Sequence, residues 1–265
     1  MKVLFLGDVF GKPGREILKK KLPSLVEENN VDFIIANGEN AAGGIGITPD
    51  ICETLLYMGV DVVTSGNHIY KKREIYDYID RQPRLLKPAN YPPSTPGSGY
   101  HIMSDKKNNK IAVINICGRV FIDYFDCPFR TIDKILNNVR KETPVIIVDF
   151  HAEVTSEKVA MGWYLDGRVS AVVGTHTHVQ TADERILPGG TAYITDVGMV
   201  GPRNSVIGVK KENIIKKFLT MMPQKFTVSE DDYLVNGVVI NINEKNGRAE
   251  SINRLNIAID KIDNI

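Results

Sequence analysis

The sequence lacks the features that mark several large classes of protein. Its 33 basic and 32 acidic residues leave a formal net charge of +1, so it has no overall basic field of the kind that binds nucleic acid. None of its apolar runs reaches the roughly 18 residues that a membrane-spanning helix needs. Residues 1–8 combine a short apolar run with no small-residue cleavage site, so they predict a first strand and not a signal peptide.

Cysteine is also scarce. Cys52, Cys117 and Cys127 are odd in number and far apart, which excludes a disulfide framework and a cysteine-rich zinc site. This usage fits a reducing compartment, so we expect a cytoplasmic protein with no membrane partner. The 265 residues suffice for one large α/β domain or two small ones. We expect a single domain over residues 1–265, because strands resume after the proline-rich connection at residues 88–99.

What the chain does contain is an alternation of apolar strands and amphipathic helices. Strands are predicted over residues 2–6, 33–36, 60–64, 145–148, 169–173 and 192–195, with β-like segments at 225–228, 233–243 and 248–256. A hairpin is predicted from residues 100–103 and 111–116 around a turn at 105–109, and a glycine-rich loop at 198–208. Helices are predicted over residues 13–28, 48–58, 72–80, 131–140, 156–165 and 211–221. The alternation predicts βαβ units and a mostly parallel sheet.

Two histidines follow one of these strands closely. The segment Gly174-Thr175-His176-Thr177-His178 comes directly after the apolar run at residues 169–173. Neutral imidazole is the commonest metal ligand in proteins, and open α/β sheets bind ligands at the carboxyl ends of their strands. Taken alone, such a histidine pair fits a structural role as well as a metal site.

Four other predicted strand ends carry side chains of similar chemistry. They hold Asp8, the pair Glu39 and Asn40, the pair Asn67 and His68, and His151. Each of these residues singly could cap a helix or stabilise a turn. Four of the five histidines fall at strand ends, however, and only His101 does not. Together the residues therefore predict a metal site at the edge of the sheet.

Two of these segments resemble blocks of the calcineurin-like metallophosphoesterases. Gly66-Asn67-His68 is similar to their G-N-H block, and the segment at residues 174–178 to their G-H-x-H block. The chain departs from that superfamily at Phe10, where a ligand histidine usually stands, and at Glu39, which replaces a bridging aspartate. These departures are themselves typical of the bacterial YmdB-like family, which the chain resembles in six ordered blocks from Asp8 to about Gly208. The blocks read G-D-V-x-G, N-G-E-N-A, G-N-H, D-F-H-A-E, G-T-H-T-H-V-Q-T-A-D and I-T-D-V-G-M.

The resemblance implies a fold and a set of metal ligands. The implied fold is a layered αββα sandwich of mixed sheets, with the metal site at the carboxyl ends of the strands. Asp8, Asn40 and His178 would bind a first metal ion; Asn67, His151 and His176 would bind a second; Glu39 would bridge both. Carboxylate, amide and imidazole ligands suit two divalent or mixed-valence ions, with iron expected and manganese or zinc as alternatives.

The resemblance also implies an activity. It is the hydrolysis of small phosphodiesters, including 2′,3′-cyclic nucleotides, by a metal-bound hydroxide, with His68 as the general acid for the leaving oxygen. Further candidates are hydrogen-bond partners of the ligand imidazoles, which fit surface or capping roles equally well, and contacts to phosphate, which an ordinary role as loop arginines explains better. They are Asp149, Glu153 and Asp196 for the first role, and Arg119 and Arg203 for the second.

Two other functions stay open at this point. The chain could be a regulatory protein that binds a metal or nucleotide with little turnover, or a ribonuclease. The sequence shows no basic stripe or aromatic platform for RNA, and sensing alone does not need a general acid such as His68. The expected partners are therefore a small phosphodiester or cyclic-nucleotide substrate and further copies of the chain in a homo-oligomer.

Overall fold

The strands of the protein form two mixed sheets, seen in a computed structural model that describes residues 1–105, 107–230 and 232–260. The strands are β1 Lys2–Leu6, β2 Asp8–Val9, β3 Phe33–Asn37, β4 Val62–Thr64, β5 Tyr100–Ser104, β6 Lys110–Cys117, β7 Ile146–His151, β8 Ala171–Thr175, β9 Arg185–Ile186, β10 Ala192–Ile194, β11 Met199–Pro202, β12 Tyr233–Ile242 and β13 Ala249–Ile259. The helices are α1 Gly11–Asn29, α2 Pro49–Tyr57, α3 Pro128–Val139, α4 Thr155–Leu165 and α5 Lys211–Thr220. None of the helices in the described part of the chain is long and apolar enough to cross a lipid bilayer.

The first sheet has the order β2-β11-β12-β1-β3-β4, with β13 also paired to β12. Strands β1, β3 and β4 are parallel, and β12 runs antiparallel to β1. Strand β13 pairs along the whole of one edge of β12. The other edge of β12 is shared by two strands: β11 pairs with residues 233–235 and β1 with residues 237–241. The sheet splits there at Gly7, where a Cβ atom would lie 2.1 Å from the carbonyl oxygen of Gly198. This backbone contact requires glycine and places Asp8 at the carboxyl edge.

The second sheet has the order β5-β6-β7-β8-β10-β9. Its four inner strands, β6, β7, β8 and β10, are parallel, whereas β5 and β9 are antiparallel edges. The carboxyl ends of the inner strands therefore lie along one edge, which is the edge that carries His151 and Thr175.

Alternating side chains of each sheet build a core on both of its faces. In β1, Val3 and Phe5 pack between the sheets with Ile147 and Val173 of the second sheet. Residues on the opposite face of β1, such as Leu4, belong to a separate cluster formed with α1 and α2. Helices α3 and α4 cover the outer face of the second sheet in the same way. The predicted αββα sandwich of mixed sheets is thereby confirmed.

One predicted helix is wrong. Instead of a helix over residues 72–80, the chain makes three short 3₁₀ turns at Ile69–Lys71, Arg73–Ile75 and Ile79–Arg81. Lys72 between the first two turns is extended, with φ −111° and ψ 120°, so these two turns do not join into one helix. The segment buries Ile69, Ile75 and Ile79 in the core beside α2, and these tertiary anchors override the local helical spacing.

Other boundaries also differ from the sequence prediction. The segment at residues 225–228 is not a strand, because its only ladder contact is an isolated bridge from Val228 to Val209. The glycine-rich loop begins with β11, which gains its strand geometry from pairing with β2 and β12. The predicted hairpin of β5 and β6 is present, and its turn includes residue 106, which lies outside the described residues.

Candidate active site

The predicted ligands lie together where the carboxyl ends of both sheets meet. Strands β1, β3 and β4 of the first sheet lead to Asp8, to Glu39 and Asn40, and to Asn67 and His68. Strands β7 and β8 of the second sheet lead to His151 and to the loop with His176 and His178. The structure brings all eight side chains into one connected cluster.

Glu39 stands at the centre of this cluster and is fully buried. Its Oε1 atom lies 3.2 Å from Nε2 of His151 and 3.4 Å from Nδ1 of His68. Asn40 Nδ2 donates to the same oxygen over 3.1 Å. Burial opposes ionisation of Glu39, but the charge and hydrogen bonds of His151 and His68 hold its pKa well below the usual value. The centre of the cluster is therefore a buried carboxylate.

One side of the cluster, which we call the His151 half, consists of Asn67, His151 and His176. Nε2 of His151 lies 3.3 Å from Oδ1 of Asn67 and 2.9 Å from Nδ1 of His176. A chain of hydrogen bonds supports it from behind, because Nδ1 of His151 lies 2.9 Å from Oγ1 of Thr175, and that hydroxyl donates to Asp149 over 2.7 Å.

The hydrogen-bond chain fixes the tautomer of His151. Thr175 has one hydroxyl proton and gives it to Asp149, so its oxygen must accept from Nδ1 of His151. In the neutral ring, the Nε2 lone pair of His151 then faces the cluster, at the place that a proton holds in the charged ring. At the next histidine, Nε2 of His176 lies 3.0 Å from a carboxylate oxygen of Glu153, which directs the Nδ1 lone pair of His176 to the same point.

The side chains of the His151 half thus place three possible ligand atoms close together. One ligand atom each from Glu39, His151 and His176 lies within 4.8 Å of the other two. Although burial alone lowers the pKa of His151, the Glu39 carboxylate raises it to about 9. Burial and then the charge of His151 lower the pKa of His176 to about 3. This donor set of one carboxylate and two imidazoles fits a divalent metal ion.

Gly66 keeps one face of the cluster clear. A Cβ atom at this position would lie 2.2 Å from Oε2 of Glu39 and 2.3 Å from Nε2 of His151. No residue other than glycine fits there without displacing both groups, so the glycine of the G-N-H block preserves the space in front of the donors.

The other side of the cluster, which we call the His178 half, consists of Asp8, Asn40 and His178. Nε2 of His178 lies 3.7 Å from Oδ1 of Asp8 and 3.1 Å from Nδ2 of Asn40. Burial raises the pKa of Asp8, and the neighbouring His178 opposes that rise. Nδ1 of His178 donates to the carbonyl oxygen of Ile207 over 2.9 Å, so its Nε2 lone pair faces the cluster.

The amide of Asn40 has more acceptors around it than it can serve. Its Nδ2 atom lies within 3.4 Å of Asp8 Oδ1, Glu39 Oε1 and His178 Nε2, but an amide nitrogen carries only two hydrogens. Turning the amide about its last torsion would place Oδ1 at the same point. The His178 half can therefore also present oxygen and nitrogen ligands to a cation.

Apolar packing supports the His178 half. The ring of Phe10 meets the ring of His178 edge-on, with centroids 5.5 Å apart. A Cβ atom at Gly44 would lie 2.9 Å from the Phe10 ring, and one at Gly208 2.4 Å from it. Two glycines thus enclose the aromatic ring that packs against His178.

The histidine loop reaches both halves through an unusual backbone. His176 has a φ of 103° and His178 a φ of 65°, values that non-glycine residues rarely adopt. Such conformations cost on the order of 1–3 kcal/mol each and persist only where the surroundings enforce them. They direct two histidines of one short segment into different halves of the cluster.

His68 lies at the opening of the cluster. Its side chain is 27% exposed, and its Nδ1 lies 3.1 Å from Oδ1 of Asn40. Its backbone N–H donates to Oε2 of Glu39 over 3.2 Å. His68 also lines a cavity of about 700 Å³ that opens from the cluster. With Nδ1 directed at Asn40 and Glu39, Nε2 is the nitrogen available to a molecule in that cavity.

The remaining candidates have different surroundings. Of the three carboxylates, Glu153 contacts a cluster imidazole directly. Asp149 reaches His151 through Thr175. Asp196 pairs with Lys158 over 2.6 Å and accepts from the backbone of Thr177. Burial raises the pKa of Asp149 to about 6 although His151 opposes the rise. The backbone N–H of Arg119 contacts Glu157, and Arg203 lies 3.9 Å from Asp260. Neither arginine is among the described residues that line the cavity.

Sequence reasoning missed two supporting residues. Thr175 lies within the histidine segment, so its position was a signal for its contact with His151. Lys158 is buried in α4 and pairs with Asp196 on the loop after β10, 38 residues further along the chain. Its spacing in the helix gives no indication of that partner.

Comparison with known proteins adds to this geometry. A family model described as YmdB-like protein matches residues 4–255. The chain is 52% identical to a protein of Bacillus subtilis named 2′,3′-cyclic-nucleotide 2′-phosphodiesterase, over 98% of both chains. It is 38% identical to a Mycoplasma genitalium protein named putative phosphatase/phosphodiesterase, over 98% of this chain and 94% of the other.

Solved structures agree with the fold. A crystal structure of a hypothetical protein from Thermus thermophilus superposes with a TM-score of 0.91 at 39% identity, covering 98% of this chain and all of the other. One from Mycoplasma pneumoniae, described as a novel phosphatase, superposes with a TM-score of 0.92 at 35% identity, covering 99% and 95% of the two chains. The overall fold described above is therefore shared with crystallised relatives.

Proposed function

Because the chain belongs to the YmdB-like protein family, we propose that it is a metal-dependent phosphodiesterase that opens 2′,3′-cyclic nucleotides. The observation that carries the proposal is the convergence of Asp8, Asn40, Asn67 and three histidines around the buried carboxylate of Glu39. Relatives named as phosphodiesterases support the same class of reaction.

The ligand assignment follows the two halves of the cluster. Asn67, His151 and His176 would hold one ion, Asp8, Asn40 and His178 the other, and Glu39 would contact both. The mixture of carboxylate, amide and imidazole donors suits iron, with manganese and zinc as the alternatives. When bound, such a pair of ions lowers the pKa of a shared water and neutralises charge on the phosphate.

The chain's own residues supply the proton and the positioning. The oxygen of a water adds to phosphorus and that water releases one proton to solvent, while the bond from phosphorus to the ribose 2′ oxygen breaks and the 2′ oxygen takes a proton from the protein. His68 would donate this proton from Nε2, because Nδ1 faces the carboxylate of Glu39. Glu153 and Thr175 hold the rings of His176 and His151 in their ligating tautomers.

A substrate panel tests this proposal. The purified protein would be freed of metal with chelator, reloaded separately with iron, manganese or zinc, and assayed on 2′,3′-cyclic AMP, 3′,5′-cyclic AMP and a short RNA. We expect metal-dependent conversion of 2′,3′-cyclic AMP to adenosine 3′-phosphate, identified by chromatography. Binding of the cyclic nucleotide without turnover under every metal would favour a regulatory protein, and preferential internal cleavage of RNA would favour a ribonuclease.

A further inference from the structure

The cavity beside the cluster of predicted ligands has an apolar wall that takes no part in the reaction described above. Phe10, Ile45, Ile207, Ile214, Phe218 and Phe226 all line it. Most polar side chains among the described lining residues belong to the cluster of predicted ligands or lie directly beside one of its members. Lys217 is the one exception. The cavity thus joins a charged end, suited to phosphate, to an apolar end.

Two aromatic rings of this wall are unusually exposed. The Phe218 residue of α5 is 71% exposed, and Phe226, in the loop that follows, is 51% exposed. The ammonium group of Lys217 lies 4.8 Å from the centre of the Phe226 ring, a cation–π contact that orients the ring. Aromatic rings left in water beside a cavity are surfaces that a flat apolar ligand can cover.

Direct contacts connect the wall to His178 of the cluster. Ile214, the one buried residue of α5, packs in a small cluster with Phe10 and Val209. Phe10 contacts the ring of His178, and the carbonyl oxygen of Ile207 accepts from the same ring. A ligand whose phosphate lies at the cluster of predicted ligands therefore has its other end beside this wall.

We infer that Phe218 and Phe226 form a platform on which the nucleobase of the substrate stacks. The inference rests on the proposed function, since it takes the other end of the same ligand to be the cyclic phosphate. The sequence predicted no aromatic platform, because these two rings are eight residues apart and lie on a helix and a loop. Stacking is tolerant of base identity, and this wall offers no amide or hydroxyl to read a base edge among its described residues. The platform should accept purines and pyrimidines, with purines bound more tightly through their larger area.

The test compares a nucleotide with its abasic counterpart. Wild type, Phe218→Ala and Phe226→Ala would be assayed on 2′,3′-cyclic AMP and on ribose 2′,3′-cyclic phosphate. Loss of one aromatic–base contact should lower kcat/KM for the nucleotide about 10-fold, within roughly 5- to 100-fold, mainly through KM. The abasic substrate should be cleaved equally by all three proteins, and Phe218→Tyr should keep the activity of the wild type.

A matched control lies on the same helix. Leu219 is 80% exposed, is not among the residues that line the cavity, and should tolerate Leu219→Ala without a change on either substrate. Equal losses on both substrates in Phe218→Ala and Phe226→Ala, or wild-type kinetics in both variants, would overturn the platform while leaving the phosphodiesterase intact. A wild-type protein that cleaves neither substrate would instead overturn the proposed function, and the platform with it.

Discussion

The two halves of the cluster present similar donors but are supported by different physical means. The His151 half is held by a buried chain of hydrogen bonds from His151 through Thr175 to Asp149. In the His178 half, one carbonyl oxygen fixes the ring of His178, and Phe10 packs against its edge. A hydrogen-bond chain depends on each of its polar atoms, whereas packing depends on volume and shape. The halves should therefore fail in response to different substitutions.

The largest effect is expected where the halves meet. Glu39→Gln replaces an anionic carboxylate with a neutral amide at the buried group whose Oε1 atom contacts both Asn40 and His151. We predict that turnover falls to background and that both ions are held more weakly. Elemental analysis beside the assay of 2′,3′-cyclic AMP measures both effects.

A carboxylate outside the cluster provides the control for this substitution. Glu157 accepts from the backbone of Arg119, and Glu157→Gln should keep both metal and activity. A fully active Glu39→Gln protein with two ions would remove Glu39 from the site.

Next in size are the two histidines of the loop, which separate the halves. His176→Ala should release the ion of the His151 half, and His178→Ala that of the His178 half. Each loss removes several kcal/mol of charge stabilisation, which corresponds to roughly 10³-fold in rate. Metal stoichiometry in each variant is the measurement, with His101→Ala on β5 as the control. If both variants kept two ions, the histidine pair would be structural.

His68 tests whether a residue can matter for catalysis while belonging to neither half. His68→Ala should lower the rate on 2′,3′-cyclic AMP by roughly 10²–10⁴-fold, because a ribose alkoxide leaves poorly without a proton. Bis-nitrophenyl phosphate, whose leaving group is stable as an anion, should lose much less. The metal content should match that of the wild type. Equal losses on both substrates would indicate that His68 stabilises charge and does not donate a proton.

The smallest effects compare the two kinds of support directly. Thr175→Val keeps the shape of the side chain but removes the hydroxyl between His151 and Asp149, which should weaken metal binding at the His151 half about 10- to 100-fold. Phe10→Leu should have a smaller effect at the His178 half, because the Ile207 carbonyl still orients the ring. Metal titrations of chelator-treated protein measure both effects, with Thr143→Val, a buried hydroxyl that bonds to Lys110, as the control. Equal effects of the two variants would remove the distinction between the halves.

The sequence predicts the strand ends well because their signals are local. Each apolar run is followed within a few residues by its polar side chain, and parallel pairing brings those ends to one edge. The positions of the predicted ligand residues can therefore be read from the sequence without knowledge of tertiary contacts. The resemblance of six blocks adds the αββα arrangement, which the structure confirms.

The features that could not be predicted depend on contacts between distant segments. Thr175 acquires its role only because β7 lies beside β8 and places Asp149 within reach. The enclosure of Phe10 needs Gly44 and Gly208, which are far apart in the chain. The turns near Ile75 replace a helix because their burial is decided by the surrounding core. Periodicity reports local conformation and not such partners.

The position of β12 in the first sheet bears on the order in which the protein can be assembled. This strand, at residues 233–242, pairs with β1, and β11 is held between β12 and β2, where Asp8 lies. During synthesis, β2 with Asp8 leaves the ribosome early, but β11, which pairs with it, begins only at Met199. Pairing across so long a separation is slow, so a nascent chain should present its histidines before it has a finished pocket. Metal loading should therefore be one of the last events in the maturation of this protein.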